Sequence, residues 1–367
     1  MGKISKYKTL LFLLLLVTAG ILIGRLFWPY GFDKREELTI GFVMYGEATE
    51  DGWNGEHYKA VKQACAEQGA RLIIKENVAD VSGECEQAIR ELAENGAQMI
   101  ILNSYGYGEK AIDVVEEYPD IAFYGISSEY HTNNMSSYFA RMYQARYLSG
   151  IIAGMYTESG KIGYVAAMPN NEVNRGITAF TLGVKRVNPE AEVIVIWTDS
   201  WDDEAKETEA VELLVANEQV DVLTYHQNRD YVIQAAEAEG IASIGYHQYY
   251  SGHSENYLTA AVCDWEMLYQ KLIREFQQGK GNAETNYWMG MEEEVVGLAD
   301  YSELVTDEMI QAIQEAKNEI LSGKDVFSGV IYDNEGNLRC GEDETISDEM
   351  LLEYFDWYAE GVRFYEG

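Results

Sequence analysis

Large aromatic rings follow four apolar strands of the sequence, in the short loops where those strands end. Trp53 follows Gly41–Tyr45, and Trp201 follows Val193–Trp197. The other rings are Tyr105 and Tyr107 after Met99–Leu102, and Tyr246 after Ala242–Gly245. Ligands of open α/β sheets bind outside the carboxyl ends of the strands. A base that stacks on such a ring gains about 1–3 kcal/mol of binding free energy, so the rings predict a slot for a flat ligand.

Polar side chains lie near the same strand ends and could recognise the edge of a flat ligand. The candidates are Asn174, His226, Gln227, Asn228 and His247. Trp53 and Trp201 belong to polar loops and not to a periodic apolar stripe, which favours rings that are free to stack. The alternative is that both rings pack a loop onto the core. The two interpretations differ in whether removal of a ring weakens binding or folding.

Catalytic motifs are not recognisable in this chain. It has no P-loop, HExxH or GxSxG pattern and no closely spaced Cys/His pair. Asp202 and Asp203 could be paired acids, but at the start of a predicted helix an Asp caps free N–H groups. The run Glu292–Glu294 is typical of a solvated face. The sequence therefore predicts a binding protein with no enzymatic activity, no cofactor and no metal site. The enzyme alternative, a nucleoside hydrolase, needs an acidic metal cluster.

The chain is strongly acidic, with a formal net charge of −35 at pH 7. Such a body repels phosphate backbones, so we expect no nucleic-acid binding. The N-terminus is basic instead, and its lysines precede Thr9–Trp28, an apolar run interrupted only by Arg25. As a helix, residues 9–28 span roughly 30 Å, the thickness of a bilayer core. They predict a membrane anchor with the body outside the cytoplasm; a signal peptide cleaved near Ala19 is the alternative.

Short β-rich runs alternate with amphipathic stretches almost throughout, which is typical of an α/β fold. Strands up to Ile126 form one βα set, and after the polar break Ser127–Ser137 a helix near Ala140–Tyr156 opens a second. Crossings at Tyr257–Cys263 and Val295–Leu298 predict two doubly wound lobes joined by a three-strand hinge, a clamshell that closes on its ligand. The predicted segments are an N-terminal anchor or signal segment 9–28, a first lobe 38–130 plus 264–295, a second lobe 131–263 plus 296–325, and a C-terminal extension 326–367.

Short motifs of a recognisable kind are spread over most of the chain. They are Ser137–Gly150, Lys161–Ala166, Arg175–Ile177, Ala179–Gly183, Asn188–Pro189, Phe327–Asp333 and Asp356–Val362. Together they resemble the basic membrane protein (Bmp, PnrA-like) family of substrate-binding proteins, over roughly residues 38–361. The resemblance implies a type I periplasmic-binding fold that delivers purine nucleosides or bases to an ABC transporter.

The resemblance also assigns ligand-binding roles by position. The family's stacking loop falls on Glu50–Trp53, so Trp53 inherits the stacking role. A second aromatic loop falls on Ser104–Tyr107, a tryptophan stretch falls on Trp201–Glu204 without its proline, and a histidine stretch falls on His226–Arg229. The predicted ligand-binding residues are Trp53, Tyr105, Tyr107, Asn174, Phe180, Trp201, His226, Gln227, Asn228 and Tyr246.

Two differences from the family bear on the ligand. Asn228 stands where the base-binding branch has Asp, and an amide can both donate and accept hydrogen bonds. Because Asn pairs bidentately with adenine-type edges, this residue is compatible with an adenine-like or altered base. The nucleoside-binding branch has an aspartate after its late strand and a lysine on the crossover strand, where this chain has Tyr246-His247 and Cys263. These changes favour a free purine base or a related flat heterocycle over a nucleoside.

The mode of membrane attachment separates two functional hypotheses. Most relatives are tethered through a lipobox cysteine, which is missing near Thr9–Trp28. In its helical anchor the chain resembles membrane-anchored Med-type relatives that are associated with regulation. Transport with an ABC permease and ligand sensing on the same fold are therefore both open. Neighbouring permease and ATPase genes favour transport, whereas an isolated gene favours sensing.

Overall fold

The computed structural model describes residues 37–50, 52–81, 83–247 and 251–367. The predicted anchor at residues 9–28 lies outside these ranges. Within them, no helix has the length and apolar character needed to cross a membrane.

Strands and helices alternate along the described chain, as the sequence predicts. The strands are β1 (Thr39–Val43), β2 (Arg71–Lys75), β3 (Met99–Leu102), β4 (Ala122–Ile126), β5 (Met135–Ala140), β6 (Lys161–Ala166), β7 (Glu192–Trp197), β8 (Val222–His226), β9 (Ala242–His247), β10 (Tyr257–Cys263), β11 (Asn286–Met289), β12 (Val296–Leu298), β13 (Ile331–Tyr332), β14 (Leu338–Cys340) and β15 (Val362–Phe364). The helices are α1 (Trp53–Glu67), α2 (Glu84–Glu94), α3 (Tyr107–Val115), α4 (Met142–Tyr156), α5 (Asn171–Val187), α6 (Glu204–Leu213), α7 (Tyr231–Glu239), α8 (Trp265–Gln277), α9 (Asp307–Leu321) and α10 (Asp348–Glu353).

Six of the described strands form the sheet of the first lobe, in the order β11-β5-β4-β3-β1-β2. Every pairing in this sheet is parallel. Strands β1, β3 and β4 are buried apolar runs, as expected for a parallel sheet covered on both faces. The strand order reverses between β1 and β3, and ligands of doubly wound sheets bind at such a switch point.

The sheet of the second lobe contains seven described strands, in the order β12-β10-β9-β8-β6-β7-β15. Only β12 runs antiparallel to its neighbour within this described sheet, and the switch point lies between β6 and β8. Helices α4 and α5 pack closely, since a Cβ added at Gly150 would lie 2.0 Å from the carbonyl oxygen of Phe180. Glycine is needed at such a backbone approach, which explains part of the Ser137–Gly150 motif.

In the described chain, the lobes are joined where β5 leads to α4, where β10 leads to α8 and where β11 leads to β12. These crossings match the predicted three-strand hinge. The predicted lobe boundary between residues 130 and 131 differs from the structure, because β5 pairs with β4 and β11 in the first sheet. The polar composition hides this strand: Ser136 and Ser137 are buried, and the Ser136 hydroxyl donates to the carbonyl of Glu284 at 2.7 Å.

The C-terminal extension is built into the second lobe. Strand β15 pairs in parallel with β7 and forms the edge of the sheet. The segment before it covers α5: Asn171 Nδ2 donates to the carbonyl of Leu352 at 3.0 Å, and Arg175 donates to the carbonyl of Leu351. The extension therefore fixes the N-terminal turns of the helix that follows β6.

Candidate functional site

The two switch points meet at one cleft. Trp53, which follows β1, places its indole ring 5.3 Å from the imidazole of His247 at the end of β9. The backbone N–H of Trp53 donates to Oδ1 of Asn228, two residues beyond β8, at 3.0 Å. A Cβ added at Gly52 would lie 3.0 Å from the Asn228 carbonyl oxygen, and Gly52 has a φ of 102°, so glycine suits this contact. The lobes are thus in direct contact at the carboxyl ends of their strands.

Trp53 is the centre of the first-lobe side of the cleft. It begins α1, is half-buried, and its Nε1 donates to the carbonyl oxygen of Asn103 after β3 at 3.4 Å. Its ring lies 4.2 Å from His57 and 5.6 Å from Trp265. The interpretation of Trp53 as a freely projecting ring therefore needs modification, because the ring is also packed against neighbours.

A chain of buried polar groups runs behind Trp53. His57 Nδ1 is 2.6 Å from the hydroxyl of Tyr269, which is 3.2 Å from the hydroxyl of Tyr138. Tyr138 in turn donates to Oδ1 of Asn103 at 3.2 Å. Burial, and then the neighbouring His247, hold the pKa of His57 well below its ordinary value of 6.5. Within the described residues, His57 Nε2 and Asn103 Nδ2 are buried without a hydrogen-bond partner.

The second-lobe side carries charges. Glu172 on α5 lies 3.3 Å from Nε2 of His226 and accepts from the hydroxyl of Tyr246 at 3.1 Å. Burial would raise the pKa of Glu172, but the hydrogen bond and charge of His226, the charge of Arg175 and the Tyr246 hydroxyl hold it below its ordinary value. The guanidinium of Arg146 stacks 3.9 Å from the ring centroid of Tyr246.

His247 joins the two sides. Its Nδ1 accepts from the indole Nε1 of Trp265 at 3.4 Å, and its backbone adopts a left-handed φ of 66°. Burial, and then the nearby His226, lower the pKa of His247 to about 4, so the ring is neutral at physiological pH. Its Nε2 is buried with no partner in the described part of the chain.

Several predicted site residues come together at this cleft. Trp53, His226, Asn228 and Tyr246 belong to the contacts above, and Gln227 is buried with its Nε2 donating to Thr198 at 2.7 Å. Trp201 lies at the margin: its ring centroid is 6.0 Å from that of His226, and the residue is 39% exposed. Tyr105 is more exposed, at 59%, and its hydroxyl donates to Glu129 at 3.1 Å.

The structure places three predicted site residues elsewhere. Tyr107 is fully buried in the apolar core of the first lobe, and its hydroxyl donates to the carbonyl of Val78. Phe180 is fully buried and packs edge-on against Tyr164 at 5.7 Å. Both are core residues because their rings point away from the strand ends into helix–sheet packing.

Asn174 is also committed to packing. Its Nδ2 donates to the carbonyl of Phe355 at 3.2 Å, and its Oδ1 accepts from the hydroxyl of Tyr358 at 2.8 Å. Both partners belong to the C-terminal extension, whose position the sequence does not reveal.

Several residues of the cleft are not among the predicted site residues. They are His57, Asn103, Tyr138, Arg146, Glu172, Trp265 and Tyr269. A signal for some of them exists in the spacing, because residues four apart share one face of a helix. His57 lies four positions after Trp53 on α1, and Tyr269 lies four positions after Trp265 on α8.

The acidic residues near Trp201 have structural partners. Asp203 caps α6 by accepting from the backbone N–H of Lys206 at 3.2 Å, as the sequence predicts. Asp202 accepts from Nε of Arg229 at 3.0 Å. Among the described residues, no group of three or more His, Cys, Asp or Glu side chains is placed to hold a metal ion.

Comparisons with known proteins give a consistent family assignment. Residues 37–327 match the family model described as ABC transporter substrate-binding protein PnrA-like. A purine-binding protein of Brucella abortus is 31% identical over 350 residues, covering 94% of this chain and 97% of the relative. A putative ABC transporter glucose-binding protein of Haloferax volcanii is 31% identical over 337 residues, covering 91% of this chain and 82% of the relative. The transcriptional activator protein med of Bacillus subtilis is 26% identical over 291 residues, covering 76% of this chain and 87% of the relative.

Solved structures support the fold. A transcriptional activator of the comK gene from Bacillus halodurans superposes with a TM-score of 0.70 at 24% identity, covering 78% of this chain and 99% of that one. A solute-binding protein of an ABC transporter system from Aeropyrum pernix gives a TM-score of 0.66 at 17% identity, covering 87% of this chain and 100% of that one. The predicted type I periplasmic-binding fold, with two doubly wound lobes, is confirmed.

Proposed function

We propose that this chain, which belongs to the PnrA-like family of ABC transporter substrate-binding proteins, clamps a neutral purine base between its lobes. One observation carries the proposal: the ring of Trp53 stands at the switch point beside buried, uncharged hydrogen-bonding atoms of His57 and Asn103. A ring with directed polar atoms at its edge is the chemistry that recognises a base. The purine-binding relative from Brucella abortus, matched over 97% of its length, supports this ligand class.

The charges of the cleft argue against a phosphorylated ligand. The lowered pKa of Glu172 keeps that carboxylate ionised next to His226 and Tyr246. A phosphate placed there is repelled by that carboxylate and loses its hydration, while the neighbouring Arg146 and Arg175 already donate to protein carbonyls. A base or nucleoside without phosphate meets no such penalty.

The proposal extends to the cellular setting. The family implies an ABC permease as partner, and the apolar residues 9–28 support an anchor that holds the binding body outside the cytoplasm. The role is binding and release without chemical conversion. Mass spectrometry of ligand recovered after incubation tests this: unchanged base is expected, and a cleaved or oxidised product contradicts it.

Calorimetry and thermal unfolding of the full chain in detergent test the ligand class. Adenine, hypoxanthine, guanine, their nucleosides, glucose and an amino acid mixture are compared. A bound base at a hundred times its Kd stabilises the protein by about 2.7 kcal/mol and raises Tm. A response to glucose with none to purines contradicts the proposal and favours the function named for the Haloferax volcanii relative.

A matched pair of variants locates the binding event. Trp53→Ala removes a half-buried ring at the cleft, whereas Trp197→Ala removes a half-buried ring that stacks on Phe364 at the outer edge of the second sheet. We expect the purine response to be lost in the first variant and kept in the second. Equal losses contradict a site at Trp53.

Ligand sensing is the second candidate function, and the match to a transcriptional activator over 87% of its length favours it. Deletion of the gene separates the two roles in cells. Transport predicts loss of uptake of radiolabelled hypoxanthine. Sensing predicts unchanged uptake together with altered transcript levels when purine is added.

A further inference from the structure

Two buried histidines, one from each lobe, flank Trp53. His57 lies on α1 and His247 ends β9, and their ring centroids are 6.3 Å apart with an interplanar angle of 17°. Each has one ring nitrogen bonded to a neighbour and the other without a partner in the described residues. Because a neutral imidazole has one donor and one acceptor nitrogen, the bonded nitrogen decides what the other offers.

The hydrogen-bond chain behind His57 has a fixed direction. The amide oxygen of Asn103 only accepts, so the hydroxyl of Tyr138 must donate to it. Tyr138 has then used its single hydrogen and accepts from the hydroxyl of Tyr269. Tyr269 in turn accepts from His57, whose Nδ1 therefore carries the hydrogen. The unpartnered Nε2 of His57 is left as a hydrogen-bond acceptor.

The bond to His247 runs the other way. An indole N–H can only donate, so Nδ1 of His247 accepts from Trp265. In the neutral ring the hydrogen must then lie on Nε2, which becomes a donor without a partner in the described chain.

The surroundings keep both rings uncharged. His57 faces the hydroxyl of Tyr269, two indoles and His247, and burial lowers its pKa well below 6.5. His247 faces His226, which opposes a second positive charge, and Glu172, whose attraction does not outweigh burial. The two opposite tautomers are therefore the ordinary state of this pair.

His226 does not belong to this arrangement. Its Nε2 is directed to Glu172, and a Cβ added at Gly176 would lie 3.3 Å from its Nδ1. The free nitrogen of His226 thus packs against α5.

We propose that His57 and His247 determine ligand specificity through fixed, opposite tautomers, with His57 accepting and His247 donating a hydrogen bond. The inference rests on the proposed function, because it treats the clamped heterocycle as the partner of both nitrogens. Asn103 Nδ2 supplies a further donor on the first-lobe side. The matching ligand is a neutral heterocycle that presents a ring N–H close to a carbonyl or ring-nitrogen acceptor.

Tautomers are measured directly by long-range ¹H–¹⁵N correlation NMR on the full chain with labelled histidine. We expect the hydrogen on Nδ1 of His57 and on Nε2 of His247. Tyr269→Phe should release His57 into a tautomer mixture, while Tyr287→Phe, which removes a first-lobe hydroxyl bonded to Lys280, should leave it unchanged. The reverse tautomers, or a Tyr269→Phe spectrum identical to that of the unsubstituted protein, overturn the inference whether or not purines bind.

Ligand analogues test whether the ligand donates a hydrogen bond to His57. Hypoxanthine is compared with its singly N-methylated isomers, one of which should bind at least about tenfold more weakly, because a buried acceptor is left unpaired. His57→Phe keeps a ring but loses the acceptor, so it should bind hypoxanthine about tenfold more weakly and lose this discrimination. His57→Gln, whose amide oxygen accepts, should restore part of it.

These outcomes distinguish the role proposed for the two histidines from the proposed function, purine binding. Tight binding of hypoxanthine with the same methyl discrimination in His57→Phe overturns the histidine reading and leaves purine binding standing. A chain that binds no base in calorimetry overturns the proposed function and the reading together.

Discussion

The two lobes contribute chemically different halves to the cleft. The uncharged half, from the first lobe, comprises Trp53, His57, Asn103, Tyr138, Trp265 and Tyr269. Its polar atoms are phenol, amide, indole and neutral imidazole groups; all but the Trp265 indole, which donates to His247, are joined through Asn103 in one series of hydrogen bonds. The charged half, from the second lobe, comprises Arg146, Glu172, Arg175, His226 and Tyr246. Its ions are paired with their own neighbours.

The contrast indicates a division of labour. In the charged half, Glu172 is occupied by His226 and Tyr246, and Arg146 by Thr224 and the face of Tyr246. A buried charge without partners costs several kcal/mol, so these ions stay with the groups that pair with them. They thereby fix the positions of the rings of His226 and Tyr246.

The uncharged half retains neutral buried atoms without a hydrogen-bond partner among the described residues, Nε2 of His57 and Nδ2 of Asn103. Nε of Arg146 and Nδ1 of His226 also lack such a partner there, but the Arg146 guanidinium stacks on Tyr246 and Nδ1 of His226 packs against α5. We infer that the uncharged half, together with His247 at the end of β9, recognises the ligand, and that the charged half supplies a rigid wall.

The largest effect should come from the charged half. Arg146 is fully buried, donates to Thr224 and to the carbonyl of Tyr225, and stacks on Tyr246. Arg146→Met removes two buried charge-assisted hydrogen bonds and the stack on Tyr246, so we expect the free energy of unfolding to fall by about 3 kcal/mol. Urea denaturation measures it. Arg90→Met removes an exposed pair with Glu117 and serves as a control with little expected change. Similar curves for both variants contradict a structural role for the buried charge.

Trp53 of the first lobe should contribute more to affinity and to stability than Trp201 of the second lobe. Trp53 is packed among His57 and Trp265, so Trp53→Ala should weaken base binding roughly tenfold to a hundredfold and lower stability by about 2 kcal/mol. Trp201 is exposed at the margin, so Trp201→Ala should change stability by less than about 0.5 kcal/mol and affect affinity less. Calorimetry and denaturation on both variants check this order. A larger loss of affinity in Trp201→Ala would assign the main stacking contact to the second lobe.

The contact between the halves should be sensitive to acid. The pKa of His247 is about 4 in the folded protein and near 6.5 in the unfolded chain, so between these values the unfolded chain binds more protons. The contribution of His247 to the free energy of unfolding is therefore full above pH 6.5 and falls as the pH drops, by roughly 3 kcal/mol near pH 4. Burial acts on the pKa values of His57 and His226 in the same direction.

Glu207 has the opposite effect. Burial raises its pKa to about 8, so its contribution lowers the free energy of unfolding as the pH rises. The difference between the unsubstituted protein and His247→Phe isolates the histidine, since Glu207 titrates in both. We expect this difference in the free energy of unfolding, without ligand, to shrink by roughly 3 kcal/mol from pH 7 to pH 4. A constant difference shows that His247 titrates normally.

The strands, the lobes and the position of the cleft are largely predictable, because buried parallel strands are continuous apolar runs. What the pattern misses is β5, whose buried serines read as a polar break. The direction of individual rings is also missed. Tyr107 and Trp53 both begin helices after strands, yet Tyr107 points into the core and Trp53 into the cleft. That choice depends on which long-range neighbours are present.

The charged half was hardest to predict, since its partners come from distant segments. Arg175 is held by the extension near Leu351, and Glu172 at the start of α5 contacts His226 at the end of β8. By contrast, helical spacing contains the information needed to find two members of the uncharged half, His57 after Trp53 and Tyr269 after Trp265. Local periodicity thus finds residues on one helix, and contacts between segments require the fold.

The smallest expected effect concerns Asn228, where the halves touch. Its Oδ1 accepts from the backbone N–H of Trp53, so this oxygen joins the lobes, whereas the sequence predicts that Asn228 reads the base. We expect Asn228→Ala to weaken binding of hypoxanthine about fivefold, the worth of one hydrogen bond near 1 kcal/mol. Asn228→Asp keeps an acceptor and should bind within about twofold of the unsubstituted protein.

Calorimetry with adenine and hypoxanthine distinguishes the two roles of Asn228. A lobe contact weakens both bases equally in Asn228→Ala, because the lost bond to Trp53 does not involve the ligand. A base-reading side chain changes the ratio of the two affinities in Asn228→Asp, because a carboxylate cannot donate to the ring nitrogen of adenine. An altered ratio would assign part of the recognition to the loop after β8 and weaken the contrast between an uncharged half that recognises the ligand and a charged half that supports it.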